Sequence, residues 1–275
     1  MVIIVGIVIG LVLGLTGAGG SVFAVPLLIW LVGLAPSQAI GISLGAVAAG
    51  AMFGAVTRLR SGEIQWLPAL VYSVLGALVT PAGIWLNQRI DQQWLMIAFG
   101  VLVLIIAVRM WLQTVNSPDT TTEVRARVGG DDSDSGAVCR MIDNQPFKIG
   151  LPCVLGMSVG AIVTGVLSGL FGVGGGFIIV PTLLFLTGIS IRQAVATSLV
   201  VISAVGISGF SGFLLSGGSP GWPLLGQVAF GSVLGMLAGV LLSKKISGTG
   251  LQRVFVVLMV IMAIGTLIDN LVLAN

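Results

Sequence analysis

The sequence predicts an all-α polytopic membrane protein built from two inverted-topology repeats. Each repeat is a glycine-broken short helical hairpin plus three spanning helices. Three observations carry this. The chain is 56% hydrophobic and 8% charged, against about 25% charged for an ordinary soluble domain. A glycine-rich apolar segment occurs twice. The basic residues gather on one side of a membrane only when the second repeat is upside down.

The mean hydropathy is +1.15. That much apolar surface does not fit inside one water-facing globule, so lipid is the solvent. A transmembrane barrel would show segments of about 10 residues with alternating polarity, and that pattern is absent. The formal charge of +3 is small. No basic cluster is interleaved with aromatics, so nucleic acid is not a partner.

The elements follow in order. MVIIVGIVIG lacks the positive region and cleavage site of a signal peptide and reads as the first membrane segment. Val2 to Leu15 is apolar and helical, Thr16 to Ser21 breaks it, and Val22 to Leu34 is a second short arm. Each arm reaches roughly 20 Å, short of the ~30 Å hydrocarbon core. The pair is therefore a re-entrant hairpin or two short tilted crossings. Residues 38–57, 64–86 and 93–113 are each long enough to span. Asn116 to Ile149 is the only long polar stretch, a linker between halves. Its DDSDSG lacks the full calcium-loop pattern, so no metal site is expected. The second half repeats the plan over 150–170, a break at 171–176, then 177–188, 193–215, 222–242 and 251–273. The domains are thus 1–113, a linker at 114–149, and 150–275.

The duplicated segment reads GLTGAGGSVFAVPLLIWLVGLAPSQAIGISL from Gly14 and GLFGVGGGFIIVPTLLFLTGISIRQAVATSL from Gly169. Gly17, Gly19, Gly20, Pro26, Gln38, Ala39 and Ser43 recur as Gly172, Gly174, Gly175, Pro181, Gln193, Ala194 and Ser198. If each break is a hairpin, each half crosses an odd number of times and the halves are inverted. All basic residues but Arg89, of 12 in the chain, then share the side of Arg58 and Arg60. If each break merely interrupts one spanning helix, the split is seven against five. The inverted plan follows, with the linker cytoplasmic and both termini outside.

Such a duplicated, glycine-broken apolar segment points to a transporter's binding site. Inverted hairpins bring their tips together near the midplane, and each tip opens a helix. A helix N-terminus offers free N–H donors and a positive dipole end, and glycine lets that backbone approach a ligand closely. The site reading is therefore an anion held by Gly17, Gly19, Gly20, Ser21, Gly172, Gly174, Gly175 and Gly176, with hydroxyls from Thr16, Ser43, Thr197 and Ser198. The alternative for the tips is a purely structural turn. Gln38 and Gln193 either cap a turn or reach the cavity. Tyr72 and Gln227 occupy equivalent mid-membrane positions, and hydrogen bonding between helices is their default role. Pro26 and Pro181 kink or initiate the short helices. Gly6, Gly10 and Gly14, and likewise Gly231, Gly235 and Gly239, read as packing faces.

No catalytic residues are indicated. The chain has no histidine, which excludes a Ser–His pair and HExxH zinc chemistry. There is no phosphate-binding loop and no cofactor pattern. All nine acidic residues lie in loops or at segment ends, so a carboxylate proton relay has no candidate. Cys139 and Cys153 have no metal spacing. Cys153 reads as a buried packing thiol, with a disulfide to Cys139 left open.

At these residues the chain resembles the TauE/SafE sulfite exporter family of membrane permeases. The resemblance rests on residues 14–28 and 169–184, each followed by Gln-Ala and a Ser-Leu helix, and on the polar linker. It implies movement of a sulfur-containing or organic anion, such as sulfite, a sulfonate or sulfoacetate, across the cytoplasmic membrane. The expected activity is secondary transport of a small anion in a lipid bilayer. A passive anion channel or uniporter, or a non-transporting scaffold, stays open, as do the coupling ion and the oligomeric state.

Overall fold

The computed structural model describes residues 1–17, 20–59, 61–116, 151–187 and 189–243, with positions 257, 260, 261, 264 and 265 beyond them. Among the described residues every regular element is a helix: α1 (Val2–Thr16), α2 (Gly20–Val32), α3 (Pro36–Leu59), α4 (Trp66–Asn87), α5 (Gln92–Asn116), α6 (Leu151–Phe171), α7 (Gly176–Thr187), α8 (Ile191–Leu215) and α9 (Trp222–Ser243). Helices α3, α4, α6, α8 and α9 are long and apolar enough to cross a membrane. The expected segment at 251–273 falls mostly outside the described residues, and its five described positions are helical.

Helix α3 starts two residues earlier than the apolar pattern suggests, because Pro36 occupies its first position. Proline fits there, where its missing N–H costs nothing. Pro26 and Pro181 lie inside α2 and α7. Gly17 ends α1 in a left-handed conformation, with its N–H bonded to the Leu13 carbonyl. Only glycine adopts this conformation readily.

Exchanging the halves maps α1–α4 onto α6–α9, and the helix packing maps onto itself. Helix α1 packs on α9 as α6 packs on α4, α3 on α9 as α8 on α4, and α3 on α8. Directions follow from the residues that meet. Gly6, Gly10 and Gly14 face Val228, Ser232 and Met236 in rising order, so α1 and α9 run parallel. Gly76 faces Ala161 and Gly83 faces Val166, so α4 and α6 also run parallel. By contrast Gly41 faces Phe213, Gly45 faces Phe210 and Gly54 faces Leu199, so the equivalent helices α3 and α8 run antiparallel.

The glycine faces do what their spacing suggests. A Cβ on Gly14 would lie 2.7 Å from the Met236 carbonyl oxygen, and one on Gly83 would lie 2.5 Å from that of Val166. Close backbone approach of this kind is how membrane helices gain packing when lipid removes the hydrophobic drive. Many large apolar side chains face outward, as for Leu78 at 71% exposure. Exposed Trp30, Trp66, Trp85, Trp94 and Trp222 stand near helix ends, where an interfacial aromatic belt belongs. The Arg89 guanidinium lies 4.4 Å from the Trp85 ring centroid.

Cys153 is buried as expected. It is disulfide-bonded, which corrects the packing-thiol reading. The chain's other cysteine, Cys139, lies outside the described residues.

Candidate functional site

Each hairpin reaches across into the other half. Gly17 abuts Val195 on α8, and the Ser198 hydroxyl donates to the Gly17 carbonyl at 3.0 Å. The mirror contact has Gly172 against Ile40 on α3, with the Ser43 hydroxyl donating to the Gly172 carbonyl at 2.8 Å. Ser43 and Ser198 both stand two turns into their helices. The two hairpins therefore overlap past the centre rather than meeting end to end.

Gly174 marks the centre itself. A Cβ placed there would lie 3.3 Å from Val47, 3.4 Å from Ile202 and 3.7 Å from the Ser21 Cβ. Val47 and Ile202 are halfway along α3 and α8. The structure thus brings Ser21 of the first tip beside Gly174 of the second. Gly17, Gly20, Ser21, Gly172, Gly174, Gly175 and Gly176 are all buried. Gly19 lies outside the described residues.

The two tips differ in backbone. Gly172, Gly174 and Gly175 have φ of 68°, 67° and 67°. In the first tip Gly20, the counterpart of Gly175, is already helical, packed against Leu13 and the Ile9 carbonyl. Helix α7 starts one position later, at Gly176. The Gly175 carbonyl accepts from the N–H groups of Ile178 and Ile179 at 3.0 and 3.2 Å.

The profile of the sulfite exporter TauE/SafE family matches residues 2–266. The chain belongs to this family. It is similar to a probable membrane transporter protein of Xylella fastidiosa (strain Temecula1 / ATCC 700964), 31% identical over 262 residues that cover 94% of this chain and 91% of the relative. The probable membrane transporter protein YdhB of Bacillus subtilis (strain 168) is 28% identical over 247 residues, 87% and 88% of the two chains. A probable membrane transporter protein of Haemophilus influenzae is 27% identical over 264 residues, 91% and 88%. No solved structure matches the chain. The protein is a multi-pass TauE/SafE-family membrane transporter.

In this TauE/SafE chain several expected hydroxyls serve the fold. Ser43 and Ser198 give their protons to the crossed carbonyls, with Ser198 also 2.9 Å from the Val195 carbonyl oxygen. Thr16 donates back to the Val12 carbonyl at 2.8 Å. The Thr197 hydroxyl accepts from the Gln65 N–H at 3.0 Å, tying α8 to the loop before α4. Gln193 closes a capping box with Ser190 at the start of α8, and such a box satisfies two N–H groups reciprocally. Gln38 is exposed, with Ala35 where Ser190 would correspond. Tyr72 is wholly buried and its hydroxyl has no hydrogen-bond partner, so the expected bond between helices is not made. Gln227 is exposed on α9.

Sequence reasoning missed two residues. The Asn87 amide donates to the Leu170 carbonyl at 2.6 Å, binding the end of α4 to the root of the second tip. Ser168 is fully buried one turn before that tip. Both are polar residues inside apolar runs. Asn87 was legible only as a helix-end residue, and Ser168 only as a hydroxyl preceding the glycines rather than following them.

Proposed function

We propose that this transporter moves a small sulfur-containing or organic anion, of the sulfite, sulfonate or sulfoacetate class, across the cytoplasmic membrane as a secondary transporter. The observation that carries this reading is the meeting of the two tips at Gly174, between Val47 and Ile202. Each tip opens a helix, α2 at Gly20 and α7 at Gly176. Two positive dipole ends near one centre favour a negative charge. No arginine is needed to hold it.

The antiparallel course of α3 and α8 supports two inverted repeats with a linker at 114–149. In that arrangement the linker is cytoplasmic, both termini are outside, and the basic residues follow the positive-inside rule. Rocking of one repeat against the other then gives alternating access. The described tip residues are buried.

The test is flux of sulfite, thiosulfate, a sulfonate and small carboxylates into proteoliposomes holding the full chain. Saturable uptake of an anion is the expected result, and wild-type liposomes no leakier than empty ones would sink it in favour of a scaffold. A passive uniporter is the second reading, favoured by the lack of any acidic residue deep in an apolar run. Flux indifferent to an imposed pH gradient would select it.

A further inference from the structure

The two repeats do not share the anion equally. We propose that the second hairpin binds it, through the backbone N–H groups of Gly174, Gly175 and Gly176 and the hydroxyl of Ser168. This rests on the transport reading above and assigns the side-chain donor that reading lacks.

Four observations converge on this one hairpin. Ser168 is 0% exposed, and its Oγ has no hydrogen-bond partner. An unsatisfied buried hydroxyl is costly, and more so where no water can reach it. Other serines and threonines inside these helices mostly return their proton to a carbonyl three or four residues back, as Thr164 does to Gly160 and Ser203 does to Val200. Ser168 does not, although the Thr164 carbonyl is in place on its own helix.

The second observation is where it stands. Ser168 faces the tip: a Cβ on Gly175 would lie 3.6 Å from the Ser168 Cβ. Third, among the described residues the N–H groups of Gly174, Gly175 and Gly176 make no turn or loop hydrogen bond. Successive left-handed glycines at the head of a 12-residue helix aim such donors into one concavity. Only glycine fits at Gly175, where a Cβ would run into Thr164 Cγ2. Fourth, Leu13 is the counterpart of Ser168, and it is fully buried against Gly20. The first repeat thus offers a branched apolar side chain where the second offers a hydroxyl. A tetrahedral or pyramidal oxyanion finds three N–H donors and one O–H donor on the second hairpin, against Leu13 at the matching position of the first.

The experiment compares wild type, Ser168→Ala and Ser73→Ala in proteoliposomes, with sulfite and methanesulfonate as the probes. Ser73 also has a hydroxyl without a partner, but it stands on α4. Losing one hydrogen bond to a charged ligand costs roughly a tenfold rise in half-saturation concentration. S168A should show that rise for both anions while its melting temperature stays level or increases, because the deleted hydroxyl makes no bond within the protein. S73A should transport as wild type does. An S168A protein with wild-type half-saturation overturns the assignment and leaves the transport reading standing. A fall in melting temperature with unchanged half-saturation would make Ser168 a packing residue and also overturns it. Absence of flux in the wild type would remove both readings together.

Discussion

The two hairpin tips derive from nearly the same words, yet they are not the same object. Both end their first helix on a left-handed glycine, Gly17 or Gly172, and both give that glycine's carbonyl to a serine of the opposite repeat. There the likeness stops. In the second tip Gly175 is also left-handed, where its counterpart Gly20 is helical, and the tip is held at its root by Asn87 and by Phe171, whose ring centroid lies 5.5 Å from that of Phe99. The first tip has Ser21 where the second has Gly176, and Thr16 where the second has Phe171. Duplication supplied a frame, and small differences in side chain set the halves apart: crossing is common to both, while a buried hydroxyl without a partner, Ser168, stands in the second where the first has Leu13.

The largest expected effect breaks the centre. Gly174→Leu places a branched side chain at positive φ between Val47, Ile202 and Ser21. Flux should drop to the background of empty liposomes while the protein still inserts and elutes as folded. Wild-type flux would mean the centre is not on the path. Gly10→Leu acts on packing instead. Its Cβ would run into the Ser232 carbonyl of α9, so folded yield itself should collapse, which a membrane-fraction blot reads.

Intermediate effects sharpen the comparison between tips. Ser43→Ala should cost about 1 kcal/mol of stability, the usual worth of one buried hydrogen bond. Ser198→Ala should cost less, because its proton is shared between two carbonyls. Thermal unfolding of both variants in one detergent orders them, and the reverse order would deny the reciprocal role. The smallest effect is a null one. None of the tip residues titrates near neutrality, and a sulfonate stays ionised, so its half-saturation should be flat over about pH 6 to 8. A slope would bring in an ionisable group from elsewhere.

Sidedness has its own check. Disulfides persist in oxidising compartments, and Cys153 is in one, whereas the proposed orientation has the linker inside. A membrane-impermeant maleimide, applied to intact cells after an impermeant reductant, should leave Cys139 unlabelled. Labelling would turn the orientation over.

Most of the helices were legible because each is an apolar run bounded by glycine, proline or charge. The paired breaks were legible because glycine at that density cannot continue a helix. Which face a hydroxyl takes was not. Ser43 and Ser198 look like ligand donors in sequence, since nothing local reveals that a carbonyl from 129 or 181 residues away will claim them. Gln193 and Gln38 align perfectly, yet the capping box forms at Gln193, because Ser190 three residues before it carries a hydroxyl and Ala35 before Gln38 does not. Tyr72 and Gln227 align too, and one is buried while the other faces outward. Tertiary neighbours decided each case.

The parallel docking of α1 on α9 also sets an order of assembly. Helix α1 has its main partner some 200 residues downstream. Until α9 is made, the glycine face of α1 lacks the backbone it packs on. Contacts so distant in sequence slow folding, and domain-by-domain completion is not open to a protein whose halves finish each other. Truncation before α9 should therefore leave a chain that inserts and is then degraded, rather than a smaller transporter.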